Sequence, residues 1–518
     1  MRTHLVWFKR DLRVEDHHPL IEALDRGSTA AFYVFEPEYI AQPETSASHL
    51  QFIQESLREL SLHLHALRIP FFVYAMPIED ALCELHTKLN VRTLHSHEET
   101  GAWWSYQRDI RVKKWCDEHK VVWSETSQFG VARPHHSRNG WAKRWAEQMR
   151  LPRAPLPQPQ TFPYDARPTR IPNLEEIGCN DAPKEGQQEG GMVKAKESLI
   201  TFLKERGERY QSGMSSPVTA WTQCSRLSPH IAYGTLSIRS IYQETTRRRQ
   251  RLKDEKSRGR PIGPHWLKSL ASFDKRLRWH CHFMQKLEDQ PSLEFENMAR
   301  IYDRLRPEVP GSELFQAYCE GRTGYPMVDA CMRALVSTGW INFRMRAMLV
   351  SFASYHLWLP WRPTAQYLAR HFLDFEPGIH YPQVQMQSGT TGINTVRIYS
   401  PQKQVIDHDP RGTFIRHWVP ELATIPDAYL SRPETLPVAE QRKSGCIIGK
   451  SYPEPIVDHR DATTHAKKAI YGLRRRPEAR EEARAVYVKH GSRKRPSKRK
   501  TNASTDRQLP LLNTTPTI

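Results

Sequence analysis

Ser225 and Ser228 stand where a loop enters a helical pattern whose first turn contains Pro229, in CSRLSPHIAYG. Hydroxyls and free backbone N–H groups at a helix start suit a diphosphate, and they equally describe an ordinary N-cap. Arg344 precedes Met345 and Arg346 at the head of a strongly apolar stretch. A buried arginine requires an anion. Asp374 and Glu376, in LDFEPG, are its natural partners, in a ligand site, in a structural salt bridge, or in both. RRRQR at 247–251 (Arg247, Arg248, Arg249, Arg251) and KSRGR at 256–260 are either phosphate contacts or solvated basic loops. The eight cysteines form no CxxC pair and no even framework. Neither a zinc site nor a redox dithiol is signalled, no metal is expected, and a reducing compartment fits.

The elements that must position these residues divide the chain. Short apolar runs at 3–8, 29–35, 71–75, 91–95 and 121–125 alternate with helical patterns, clearest at 48–66 and 103–118. This alternation predicts a doubly wound parallel five-stranded sheet. KRDLRVED follows the first strand in place of GxGxxG, so the usual dinucleotide turn is not expected there. The expected domains are an α/β unit at 1–130, a long linker at 131–192, an all-α domain at 193–440, and a C-terminal extension at 441–518. The extension ends in a basic tail, poor in large apolar residues and expected to be disordered, with RKRPSKRK at 493–500. The formal charge of +19 favours polyanions, nucleic acid first. No apolar run approaches a membrane span and the N-terminus does not read as a signal peptide. The expected setting is the cytoplasm, or the nucleus in a eukaryote, and the expected state is a monomer.

Four segments carry a resemblance: VWFKRDLRVEDHHPL, CSRLSPHIAYGTLSIR, EGRTGYPMVDACMRALVSTGWINFRMRAMLVSF and VRIYSPQKQVIDHDPRGTFIRHWVPEL. In order and spacing the chain resembles the DNA photolyase/cryptochrome family over roughly residues 3–430. The resemblance implies that the helical domain binds FAD. It assigns Ser225, Leu227, Ser228 and Tyr210 to the nucleotide, Arg278 to the floor of the flavin and substrate cavity, and the pair Arg344–Asp374, with Glu376, to the isoalloxazine. HEETGAWWSYQRD (97–109) resembles a segment that contacts an antenna chromophore of folate or deazaflavin type, and offers Glu98 and Glu99. An acidic helix cap is the other reading of those two residues.

Several positions depart from the family pattern. The two tryptophans that clamp a flipped dimer are matched by Leu277 and Met386, and the dimer-bonding glutamate by Asp274. His380 takes the place of the asparagine opposite flavin N5. The paired histidines of (6-4) photolyases are absent from GWINFRMRAM. The tryptophan triad keeps its middle member, Trp361, but has Val384 nearest the flavin and Glu308 outermost. Trp279 or Tyr381 are the aromatics available to replace the clamp, and Trp340, Tyr318, Trp358 and Tyr355 those available for another electron route. Light-driven repair of pyrimidine dimers in DNA is the leading expectation, with Asp274, His380 and Trp361 as catalytic residues. A cryptochrome using the same FAD without repair is the alternative.

Overall fold

The computed structural model describes residues 3–133, 138–160, 168–307 and 312–491. Five parallel strands, β1 (Thr3–Trp7), β2 (Thr29–Val34), β3 (Phe71–Tyr74), β4 (Val91–His97) and β5 (Val122–Thr126), form one sheet in the order β3-β2-β1-β4-β5. Every residue of β1 and β2 is buried, as expected of inner parallel strands covered on both faces. Edge strand β5 leaves Val122 exposed. The helices that frame this domain are α1 (His18–Arg26), α2 (Ala47–Ala66), α3 (Ile78–Leu89) and α4 (Trp103–Glu118).

The helices that frame the rest are numbered onward. They are α5 (Trp141–Arg150), α6 (Met192–Lys204), α7 (Ser228–Ala232), α8 (Ile238–Ser257), α9 (Trp266–Asp289), α10 (Pro326–Thr338) and α11 (Phe343–Ser351), followed by α12 (Trp361–His371), α13 (Pro377–Ser388), α14 (Pro401–His408), α15 (His459–Arg474) and α16 (Pro477–His490).

Two expectations about the connections are corrected. The segment 131–192 is not a bare linker, because it contains α5. Trp141, Trp145 and Met149 recur every fourth residue, so one face of α5 is apolar, and it packs with Phe273 and Leu277 of α9. Residues 169–191 are strapped to α2: the Thr169 N–H donates to the Ser61 hydroxyl, the Lys184 N–H to Ser48, and the Gly191 N–H to Ser56. The extension at 441–518 is also not wholly a tail. Ala466, Ile470 and Val486 of α15 and α16 bury against Leu287, Leu293, Met298 and Tyr355. Small and medium apolar residues at helical spacing suffice because they close an existing cluster. RKRPSKRK lies outside the described residues.

The two domains meet at the carboxyl end of β1. There Leu12 N–H donates to the Tyr233 carbonyl, and the Arg13 guanidinium to the Gly234 carbonyl. Gly234 has φ +64°, and a Cβ on it would lie 2.2 Å from the Arg10 carbonyl oxygen. No other residue type allows so close a backbone approach.

Candidate active site

The serine loop is built as the sequence suggests. α7 begins at Ser228 with Pro229 in its first turn, and Ser225 Oγ accepts from the Leu227 N–H at 3.4 Å. The Arg206 guanidinium donates to the carbonyls of Cys224 and Ser225, which ties those oxygens back. Arg226 adopts a left-handed φ of 60°. Its guanidinium lies 3.9 Å from the centroid of Trp340 and 4.8 Å from that of Trp221. Burial lowers its pKa to about 10, and its Nη1 is buried without a partner. Tyr210 packs edge-on to Phe202 and Phe273. Burial raises its phenol to about 12 against the pull of Arg276.

Asp374 is paired with Arg346, not with Arg344. Both guanidinium ends donate to its two oxygens at 2.9 Å. The two arginines are two residues apart on α11, hence on roughly opposite sides of it. Arg344 is turned toward Tyr399 and His408, and its Nε is buried without a partner. Burial works to raise the Asp374 carboxyl. The charge and hydrogen bonds of Arg346, helped by Ser228, overcome that and leave it below its ordinary value.

The cavity face of α9 also differs from the expectation. Asp274 turns to Arg249, 3.6 Å away, and burial raises its carboxyl. Arg278 lies over Trp145 of α5 at 5.7 Å, and Leu277 is buried beside that ring. The stripe on the other side holds Arg276, which donates to Met214 Sδ, and His280. His280 Nε2 lies 2.9 and 3.2 Å from the two oxygens of Glu376. Burial opposes a charge on this imidazole, but the Glu376 carboxylate prevails and raises its pKa to about 10. Gly378 permits this approach of α9 and α13, since a Cβ there would lie 2.9 Å from Met284 Cα. Trp279, next along the stripe, is 37% exposed and stacks on Phe283 at 5.5 Å.

Asp374, Arg346, Glu376 and His380 line a cleft of about 560 Å³. Its other walls include Phe343, Val350, Phe372, Ile379 and Val384. His380 donates from Nε2 to the Ala365 carbonyl at 2.8 Å, and burial lowers its pKa to about 4. It is therefore a neutral imidazole with a bare Nδ1. Trp361 donates to Asn297 at 2.7 Å and stands 6.2 Å from Tyr381. Glu308 lies outside the described residues. Apolar walls for a flat ring, a neutral acceptor, and the half-buried cations Arg226 and Arg346 near the serine loop fit a flavin dinucleotide. Sequence reasoning missed Arg206, Arg226, Arg276, His280 and Arg346. The i, i+4 spacing of Arg276 and His280 was the available signal.

A second cavity, of about 690 Å³, opens at the carboxyl ends of β1 and β2. Trp7, Glu36, Tyr39, Glu99, Trp104 and Arg108 line it on the sheet side, and Phe375 and Pro377 on the helical side. Glu99 pairs with Arg108 at 2.8 Å, and burial raises Glu36 to about 7 against Arg108. Glu98 lies instead on a smaller neighbouring cavity, and burial raises its carboxyl.

Among the described residues one cluster has the spacing of a metal site: Asp11, His17 and His97. Its atoms are already bonded to one another. His17 Nδ1 accepts from the Leu20 N–H, so Nε2 carries the proton and donates to Asp11 at 2.9 Å; His97 Nδ1 stands 2.7 Å from the same oxygen. A metal on His17 Nε2 would force a proton onto Nδ1, facing the Leu20 N–H.

A parallel α/β domain joined to a helical domain with an arginine-rimmed, apolar-walled cleft defines a two-domain nucleotide-cofactor protein. A family model for DNA photolyase matches residues 4–158, and one for the FAD binding domain of DNA photolyase matches residues 273–472. A deoxyribodipyrimidine photo-lyase of Vibrio cholerae is 28% identical over 90% of this chain and 100% of its own. Cryptochrome-2 of Arabidopsis thaliana is 28% identical over 90% of this chain and 78% of its own. The solved archaeal photolyase of Sulfolobus tokodaii, described with two FAD molecules, has a TM-score of 0.72 at 24% identity, covering 91% of this chain and 100% of that one. The chain belongs to the photolyase/cryptochrome family, and its helical half is an FAD-binding domain. No helix among the described residues is long and apolar enough to cross a membrane.

Proposed function

We propose that the protein repairs DNA in light, by splitting pyrimidine dimers. The observation that carries this reading is Trp279. Leu277, which occupies the expected clamp position by sequence, is buried against α5, while Trp279 presents a half-open ring one residue from His280. An exposed aromatic face can stack a flipped base, which contributes about 1–3 kcal/mol. The chemistry bound FAD supplies is a light-released electron that opens the dimer and is then returned. The chain's part is to hold the cofactor with Ser225, Leu227, Ser228, Tyr210 and Arg226, and to set charge at the ring with Asp374–Arg346. The His280–Glu376 pair keeps a fixed proton at the cavity wall, and the apolar walls exclude water.

We also assign the second cavity to an antenna chromophore of folate or flavin type, with Glu36, Glu99 and Arg108 as its polar contacts. Glu99 is retained from the sequence expectation, and Glu98 is left to the smaller cavity beside it. A monomer acting on DNA suits this arrangement. The cryptochrome reading is favoured by one observation, the half-buried Met386 at the other clamp position. The deciding experiment is a light-dependent repair assay on cyclobutane and (6-4) lesions, scored separately, with Trp279→Ala alongside. Repair by the native protein and about a tenfold or greater loss in the variant, the equivalent of about 1.4 kcal/mol or more, support the proposal. Absence of repair of both lesions by a fully reduced, FAD-loaded protein overturns it in favour of signalling.

A further inference from the structure

The arginines of the RRRQR run are largely spoken for. Arg247 pairs with Glu244, Arg249 with Asp274, and Arg248 donates to the Leu203 carbonyl. The free positive charge lies elsewhere. α15 and α16, with their turn, span residues 459–490, which hold nine lysines and arginines against four acids. Among the described residues none of those nine cations has a carboxylate within ion-pair distance. Lys467, Lys468, Arg475, Arg476, Arg480 and Arg484 are all exposed. Tyr471 stands among them, 43% exposed.

A groove of about 470 Å³ runs between α15 and the extended segment before α14. Thr463, Lys467 and Tyr471, four residues apart on one stripe, form one wall; Ser400, at the start of α14, is on the other. His459, held 3.0 Å from His356, closes an end. The Lys467 ammonium and the Tyr471 phenol are the donors it offers a phosphodiester; the Ser400 and Thr463 hydroxyls already donate to Gln402 and to the Arg460 carbonyl. Tyr399, next along the extended segment, is buried and faces the other way, toward Arg344.

We infer that the α15–α16 hairpin is a nucleic-acid backbone-binding surface, separate from the lesion cavity, which holds phosphates of undamaged flanking DNA. This rests on the DNA reading of the function. Nine cations without carboxylate partners on two helices would repel one another and be selected against on a surface without an anionic partner; a backbone phosphate track supplies one. The interleaved tyrosine favours nucleic acid over a lipid headgroup.

The test uses the full-length, FAD-loaded protein and a fluorescent undamaged duplex, with anisotropy titrations across a salt series. One variant carries Lys467→Gln, Lys468→Gln, Arg475→Gln and Arg476→Gln. A second carries Arg480→Gln and Arg484→Gln, and a control on α8 carries Arg247→Gln and Arg251→Gln. Removing one lysine or arginine from a phosphate flattens the slope of log affinity against log salt by about 0.9. The fourfold variant should flatten it by about 2 to 4, the double variant by about 1 to 2, and the control by less than about 1. All should keep the native flavin spectrum, and Lys467→Arg should bind as the native chain does. An unchanged slope in both hairpin variants, or an equal loss in the control, overturns the inference. So does a hairpin variant that loses binding to phosphatidylserine vesicles while keeping its DNA affinity, which assigns the surface to a membrane. If the native protein itself binds no DNA at any salt, the DNA reading falls with it; if it binds and repairs while the variants match it, only the hairpin is wrong.

Discussion

Replacing Glu376 by Gln separates charge from shape at the cleft. In the native protein the His280 imidazole is raised from 6.5 to about 10 by the Glu376 carboxylate, against burial. A raised histidine contributes stability that is fully present below pH 6.5 and is lost as pH climbs through 10. The window is about 3.5 pH units wide, and at about 1.36 kcal/mol per unit the pair is worth at most about 5 kcal/mol. In Glu376→Gln burial acts alone, His280 is neutral at about pH 7.5, and the amide still fills the space. We expect the variant to be less stable by about 3–5 kcal/mol at about pH 6 to 7.5. The gap should close toward zero near pH 10, where the native His280 has lost its proton. Denaturant unfolding followed by near-ultraviolet circular dichroism at several pH values measures it, with released FAD followed in parallel. A destabilisation of the same size at pH 6 and pH 10 would refute the reasoning, because it would show a loss of packing and not of an ion pair.

Asp374→Ala leaves Arg346 unpaired at the cleft and should strip or weaken FAD, with stability lower by about 3 kcal/mol; Arg344→Ala should leave FAD content near native, and the absorbance ratio of flavin to protein reads both. Trp361→Phe should slow flavin photoreduction only in part, since Val384 already interrupts the path toward the flavin; complete loss of photoreduction in that variant makes Trp361 an essential relay. Truncation at residue 491 should preserve the flavin spectrum and melting temperature. Truncation at 464 should lower the melting temperature, because it uncovers Leu287, Leu293 and Met298.

The inner strands β1 and β2 could be read in the sequence because a buried parallel strand is a continuous apolar run; β4 and β5, which mix polar residues with apolar ones, were legible only as short apolar starts between helical patterns. The serine loop was legible for a local reason: Ser-x-x-Ser-Pro sets a helix start by itself. The faces of long helices were harder. On α9 a two-residue offset exchanges Asp274 and Arg278 for Arg276 and His280, and the offset costs nothing in hydrophobic pattern because Leu277 and Cys281 are buried. The same ambiguity exchanged Arg344 for Arg346, two guanidinium groups whose difference lies only in direction. α5 was hidden by its surroundings: three apolar residues carry it, amid a run of basic and polar ones. α15 and α16 were missed because their buried stripe is sparse, with only Ala466, Ile470, Ala479 and Val486 as apolar residues among many charged ones.

Asp374, Phe375, Glu376 and Pro377 are consecutive, and each faces a compartment. Asp374 and Glu376 border the flavin cleft, Pro377 the second cavity, and Phe375 both. A partition one chain thick cannot be redesigned for one occupant alone, since any shift of Pro377 drags the Asp374–Arg346 pair with it. If the second cavity holds the antenna chromophore proposed for it, its shape is adjustable only on the opposite bank, through Glu36, Tyr39, Trp104 and Arg108. Engineers who wish to install a new light-harvesting dye should mutate there and leave the partition alone.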